Sequence, residues 1–293
     1  MRDNSWRFIQ TGFNDLYTNM AIDEAILIAY SSGYIPPTLR IYGWQPSAFS
    51  LGYFQNPEEV LNIDDCCKKN MPFVRRITAG GTIFHYRELS YSLVCSKDKI
   101  NGCNSIDDSF GIISLFLVNA YKRLGLEPKF AVEQKPRFFK RSLTKRRDSF
   151  CFASKEKYDI VINGKKLGGS AQRRRKDIIF QHGSIPLKSD IDTAILFLKE
   201  KPHNLKNTTC SLDEVLGKEI KFSELKNVLR SSFEETNFVD LQEGDLTFEE
   251  KKLFHELKEK KYRNSRWNLY RIDNFHKIKN ERNESFCQKA CVA

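Results

Sequence analysis

The sequence predicts an α+β fold in which mixed and antiparallel sheets pack with helices. Three observations predict it. Short segments with strand-type alternation recur through residues 1–187. Two longer segments, 19–30 and 109–124, carry apolar residues at helical spacing. After Pro186 the pattern turns helical, so strands and helices come in segregated runs rather than alternating βα units. The chain divides into a core at 1–187, a helical C-terminal part of the same unit at 188–271, and a polar tail at 272–293 whose composition is compatible with disorder.

The elements follow in order. Residues 6–11 read as a short strand entering the core. Residues 19–30 read as a helix with its stripe through Met20, Ala21, Ala25, Ile28 and Ala29. Pro36-Pro37 punctuates, and 38–42 and 47–53 are strand candidates. Residues 58–69 read as a helix that ends before Pro72. Strands are expected at 73–77, 82–85 and 90–94, then a helix at 109–124. The charged stretch 128–150 is expected to be a long loop. Strands at 159–162, 165–168 and 178–185 follow, with Asn163-Gly164 as a tight hairpin turn. Helices are expected at 192–199, 223–235 and 247–260. The last opens with a capping box, Thr247 followed by Glu250.

The 293 residues suffice for a sizeable core. No apolar run approaches the roughly 20 residues that span a bilayer, and the N-terminus lacks the pattern of a signal peptide. A cytoplasmic protein is the default expectation. The eight cysteines show neither a paired CxxC metal pattern nor a dense disulfide framework, which fits reduced thiols. The formal net charge is +11, concentrated at 135–147 and 173–176. Such runs serve as solvated faces, as a docking surface for an acidic protein or as a nucleic-acid site. The usual nucleic-acid motifs are absent, so nucleic acid is not an expected partner; nor is a membrane.

Two stretches carry the chemistry. The first runs Arg75-Arg76-Ile77-Thr78-Ala79-Gly80-Gly81 to His85, the second Lys165-Lys166-Leu167-Gly168-Gly169-Ser170. Glycine lets backbone N–H groups approach a ligand, and a fixed cation beside it can polarise a carbonyl. Arg75 and Arg76 are adjacent on an extended run, so one of them is expected to face a ligand. The same alternation turns one of Lys165 and Lys166 inward. His85 and His182 end apolar pairs on strands; the ordinary role there is a structural hydrogen bond, with a catalytic role as the alternative. Cys151 precedes the second stretch. A lone cysteine is ordinarily a small core residue. Its place after a polar loop, its cationic flanks and the nearby glycines favour a nucleophile.

Together these motifs resemble the lipoate/biotin protein ligase and octanoyltransferase superfamily, from Trp6 to about Trp267. The matching pieces are TNMAIDEAIL, PTLRIYGWQPSAFSLGYFQ, RRITAGGTIFHYRELSYSL, GKKLGGSAQRRRKDIIFQHGSIPL and LTFEEKKLF…KKYRNSRWN. GlySerAlaGln followed by GlnHisGlySerIle, and the Cys-Phe pair at 151–152, make the chain most similar to the cysteine-dependent octanoyltransferases.

The resemblance implies a class II ligase-like catalytic domain. It implies transfer of an octanoyl group from octanoyl-acyl carrier protein, through a Cys151 thioester held by Lys166, to a lysine of a lipoyl-accepting protein such as the glycine-cleavage H protein. It implies no cofactor and no metal. Arg75, Arg76, Thr78, Gly80, Gly81, His85, Gly168, Gly169, Ser170 and His182 would bind substrate. Ala79 stands where the family usually has Gly, Gly81 where transferases of this branch often have Arg, and Tyr86 where ligases usually have Asp. The alternatives are an ATP-dependent lipoate–protein ligase and an amidotransferase moving octanoyl or lipoyl groups between lipoyl proteins.

Overall fold

A computed structural model describes residues 4–134, 156–273 and 275, except 101, 104, 202 and 203. Cys151, the basic run 135–147 and most of the polar tail lie outside the described residues.

The central sheet has six strands: β1 (Ser5–Asn14), β2 (Thr38–Trp44), β6 (Glu88–Ser96), β10 (Gly169–Arg175), β11 (Ile178–Pro186) and β13 (Asp240–Gly244). They lie in the order β10-β11-β6-β2-β1-β13. β1 runs parallel to both β2 and β13; the remaining pairs are antiparallel. Side-chain alternation separates two cores. Trp6, Phe8, Leu39 and Leu93 meet the helices α4 (Ile106–Arg123) and α9 (Phe222–Asn237) on one face. Ile9, Tyr42, Val94 and Phe180 meet α1 (Leu16–Ser31) and α10 (Phe248–Leu257) on the other. Each large apolar side chain buried in this way contributes about 1.5–3 kcal/mol.

Two smaller sheets flank the site. β3 (Ala48–Leu51) sits between β4 (Phe73–Arg75) and β5 (Ile83–His85). β9 (Lys165–Leu167) sits between β12 (Thr209–Cys210) and β8 (Ile160–Ile162), with β7 (Lys129–Phe130) at the edge. Asn163 and Gly164 both take positive φ, 51° and 79°, as a two-residue I′ hairpin between β8 and β9 requires.

The predicted strands and long helices are present, and four features differ. Residues 58–69 form two helices, α2 (Pro57–Val60) and α3 (Ile63–Lys68), because Leu61 leaves the helix to bridge Leu198. The start of the expected loop 128–150 holds β7 and a short helix, α5 (Ala131–Gln134). Arg173, Arg174 and Arg175 belong to strand β10. The C-terminal part has its helices, but it also supplies β12 and β13 to the sheets. These two strands have little apolar alternation; their partners β9 and β1 make them strands.

Buried polar links tie the C-terminal part to the core. Glu250 closes the capping box with Thr247, as the sequence predicts, and also accepts two hydrogen bonds from Arg7 at 2.8 and 2.6 Å. Lys261 reaches Glu24 of α1 at 2.8 Å.

Candidate active site

A small cavity of about 20 Å³, room for a water-sized group, lies between β10, β11, β5 and the start of the loop after β4. Its wall is a consequence of sheet register. Gly169 pairs with Ser184 and Ala171 with His182, and His182 in turn pairs with Ser92. Directly paired residues share a face, so this face is small on β10 and polar toward β6. Gly169 and Ala171 leave room where larger side chains would fill it.

Close backbone packing shapes the rim. Gly168 has φ 73°, and a Cβ there would lie 2.2 Å from the Ser184 carbonyl oxygen. A Cβ on Gly52 would lie 1.9 Å from the Gly80 carbonyl oxygen. Only glycine permits either approach.

Arg76 organises the floor. Its Nε donates to Thr78 Oγ1 at 3.2 Å, and Thr78 Oγ1 lies 2.7 Å from His182 Nε2. His182 Nδ1 faces Asp23 Oδ2 at 3.6 Å, longer than a hydrogen bond. Arg76 Nη1 donates to Ser50 Oγ at 3.3 Å, and Ser50 Oγ lies 2.7 Å from His85 Nε2. His85 Nδ1 is 2.8 Å from Glu88 Oε1. Two parallel chains thus leave one guanidinium, each running hydroxyl, imidazole, carboxylate. A carboxylate accepts only, so His85 carries a proton on the Nδ1 that faces Glu88. Trp44 stacks on His85 at 3.6 Å and 7°, which fixes the ring plane.

The charges are balanced from behind. Burial pushes the Asp23 carboxyl up, but Arg40 at 2.6 Å, His182 and the Ser92 hydroxyl outweigh it and hold it below the ordinary value. Burial pushes His182 down, so its ring is neutral at neutral pH.

The structure brings Arg76, Thr78, His85, Gly169 and His182 to this cavity or its floor. Ser170 turns to the opposite face, where its hydroxyl meets Tyr91 at 2.9 Å. The carbonyls of Ala79 and Gly81 accept from Arg76. Arg75 points elsewhere: its guanidinium donates to backbone carbonyls of Gly52, Tyr53, Gln55, Trp267, Asn268 and Leu269. Between the two arginines, alternation sends Arg76 to the cavity.

The same rule buries Lys166 and leaves Lys165 to pair with Glu214 at the surface. Lys166 is 1% exposed and pairs with Asp159 at 2.7 Å. It lies on β9, three residues before Gly169. Sequence reasoning missed Asp23, Ser50, Glu88 and Asp159 as site residues. Asp159 had a signal: two residues before Val161, which pairs with Lys166, it shares that lysine's face. Asp23 and Ser50 reach the site from other elements and had none.

The chain matches the lipoyl protein ligase A/B catalytic domain over residues 15–234. It belongs to that family and is an acyltransferase. Octanoyltransferase LipM of Bacillus subtilis is 36% identical over 279 residues, 92% of this chain and 100% of that protein. Octanoyltransferase LipM of Staphylococcus aureus is 34% identical over 271 residues, 90% and 98% of the two chains. A lipoate-protein ligase A solved with bound ATP superposes with a TM-score of 0.74 at 26% identity, over 91% of this chain and 98% of that one. A chain from the lipoylation system of Thermoplasma acidophilum, described as a bi-partite lipoate protein ligase and its E2 lipoyl domain, gives 0.73 at 26%, over 90% and 96%.

Proposed function

We propose that this protein transfers an octanoyl group from octanoyl-acyl carrier protein to a lysine of a lipoyl-accepting protein, through a thioester on Cys151. The observation that carries the reading is the end-to-end similarity to octanoyltransferases. The geometry adds a cavity with Gly169 and Ala171 on its wall, where small side chains leave the β10 face open to a ligand. In the first step the Cys151 thiolate attacks the thioester carbonyl carbon. The carbon–sulfur bond to the carrier breaks, and the carrier sulfur leaves as a thiol by taking up a proton in place of the one Cys151 gave up on becoming a thiolate. In the second step the acceptor's ε-amine attacks the new thioester, the amide forms, and Cys151 regains its thiol. Thioester exchange is nearly balanced, and amide formation draws the sequence forward. Lys166 acts on the acyl carbonyl as a fixed cation; its burial and its Asp159 partner support that role, since both limit its rotamers.

The solved relatives named as ligases favour a second reading, in which ATP activates a free acid and Cys151 is dispensable. Intact-mass spectrometry after mixing the protein with octanoyl-acyl carrier protein, without ATP, separates the two. A hydroxylamine-sensitive octanoyl adduct on Cys151, absent from Cys151→Ala, supports transfer. Modification of a lipoyl domain only when lipoate and ATP are both present assigns the ligase reaction.

A further inference from the structure

Three guanidinium groups surround the turn that follows β3. Arg75 lies beneath it, with its donors spent on backbone carbonyls. Arg173 of β10 places its guanidinium carbon 5.7 Å from the Tyr53 ring centroid, and Arg271, which ends helix α11 (Ser265–Tyr270), places its own 6.0 Å away. Among the described residues, none of the three pairs with a carboxylate. Arg173 makes one side-chain hydrogen bond, to the Ile77 carbonyl at 3.0 Å. Among the described residues the Arg271 side chain makes none, and both arginines are exposed. Glu58 lines the adjoining cleft together with Arg271.

Like charges gathered without a counter-charge repel, and an anion between them removes that cost. Arginine matches phosphate in particular, with donors in a planar fork. The place is also suggestive. Arg173 is two residues beyond Ala171 on the same face of β10, and the Tyr53 N–H donates to the Thr78 carbonyl at 2.8 Å. Arg173 therefore stands beside the cavity wall and Arg271 across the Tyr53 ring from it, on the adjoining cleft, while no donor of Arg75 remains to serve a ligand.

We propose that Arg173 and Arg271, on the Tyr53 ring, form a phosphate-binding subsite that holds the phosphodiester joining an acyl carrier's arm to its protein. The choice of source rests on the acyl-carrier reading above; a nucleotide phosphate is the other source of the same chemistry. With the phosphate anchored there, the thioester end of the arm extends toward the cavity.

The test is calorimetric, on the full chain at low salt, with 4′-phosphopantetheine, pantetheine and ATP as probes. The phosphorylated arm should bind about tenfold or more tightly than pantetheine, the worth of one charge-assisted contact or better. That preference should vanish in Arg173→Gln and Arg271→Gln and persist in Lys206→Gln, an exposed lysine that pairs with Asp192. Equal binding of the two arms, or a preference unchanged in both arginine variants, overturns the subsite. ATP binding more tightly through the same two arginines overturns the carrier as the source. The transfer reading is judged separately: a protein that forms no acyl-enzyme yet keeps the arginine-dependent preference loses that reading and keeps the subsite.

Discussion

Replacing Asp23 by alanine should destabilise the protein by about 3 kcal/mol, because breaking a buried ion pair costs about 3–5 kcal/mol. The lower end applies for a structural reason. Arg40 is fully buried and Asp23 nearly so, 2.6 Å apart. Arg40 nevertheless keeps the Asn19 side chain at 2.8 Å, the Thr11 hydroxyl at 3.0 Å and the Tyr42 ring at 3.9 Å. The Tyr42 and Ser92 hydroxyls lose their acceptor. Asp23→Asn keeps an acceptor oxygen and should cost less. The assay is urea unfolding across pH. Asp23 has a lowered folded pKa, so its contribution is fully present above the unfolded carboxylate value, about pH 4, and is lost as pH falls through the still lower folded value. The gap between wild type and Asp23→Asn should narrow below about pH 4. A cost for Asp23→Ala under about 1 kcal/mol at pH 7, or an Asp23→Asn gap that does not narrow in acid, would refute this account of the floor.

Three further outcomes are expected. His182 has a lowered folded pKa, so stability falls as pH drops below the unfolded value near 6.5; His182→Gln should flatten that slope between about pH 7 and 5 in the same titration. Gly52→Ala drives a Cβ against the Gly80 carbonyl and should cost about 2–3 kcal/mol, whereas Gly217→Ala, strained in φ but with open space around it, should cost about 1 kcal/mol; thermal melts of the pair compare them. Lys166→Met combined with Asp159→Asn removes both charges of a buried pair. It should leave the melting temperature nearly unchanged and slow acyl-enzyme formation about a hundredfold, measured by rapid quench and mass spectrometry.

Local pattern and short-range stereochemistry carried much of the architecture. Alternation placed β1, β2 and β11 because each buries one or both faces against a helix layer, and apolar spacing placed α1 and α4 for the same reason. The capping box at Thr247 and the turn at Asn163-Gly164 were legible because their partners lie within three residues. Alternation also foretold that one residue of each pair, Arg75-Arg76 and Lys165-Lys166, would turn to the site side. It could not say which, because that depends on what packs behind the strand. Only tertiary structure sent Arg75 to six carbonyls, half of them from α11, about 190 residues away, and gave Arg76 to the cavity floor. β13 became a strand because β1 offered it an edge. The carboxylate behind His182 comes from α1, so that pairing exists only once the helix layer closes on the sheet, whereas His85 and Glu88 are three residues apart and meet locally.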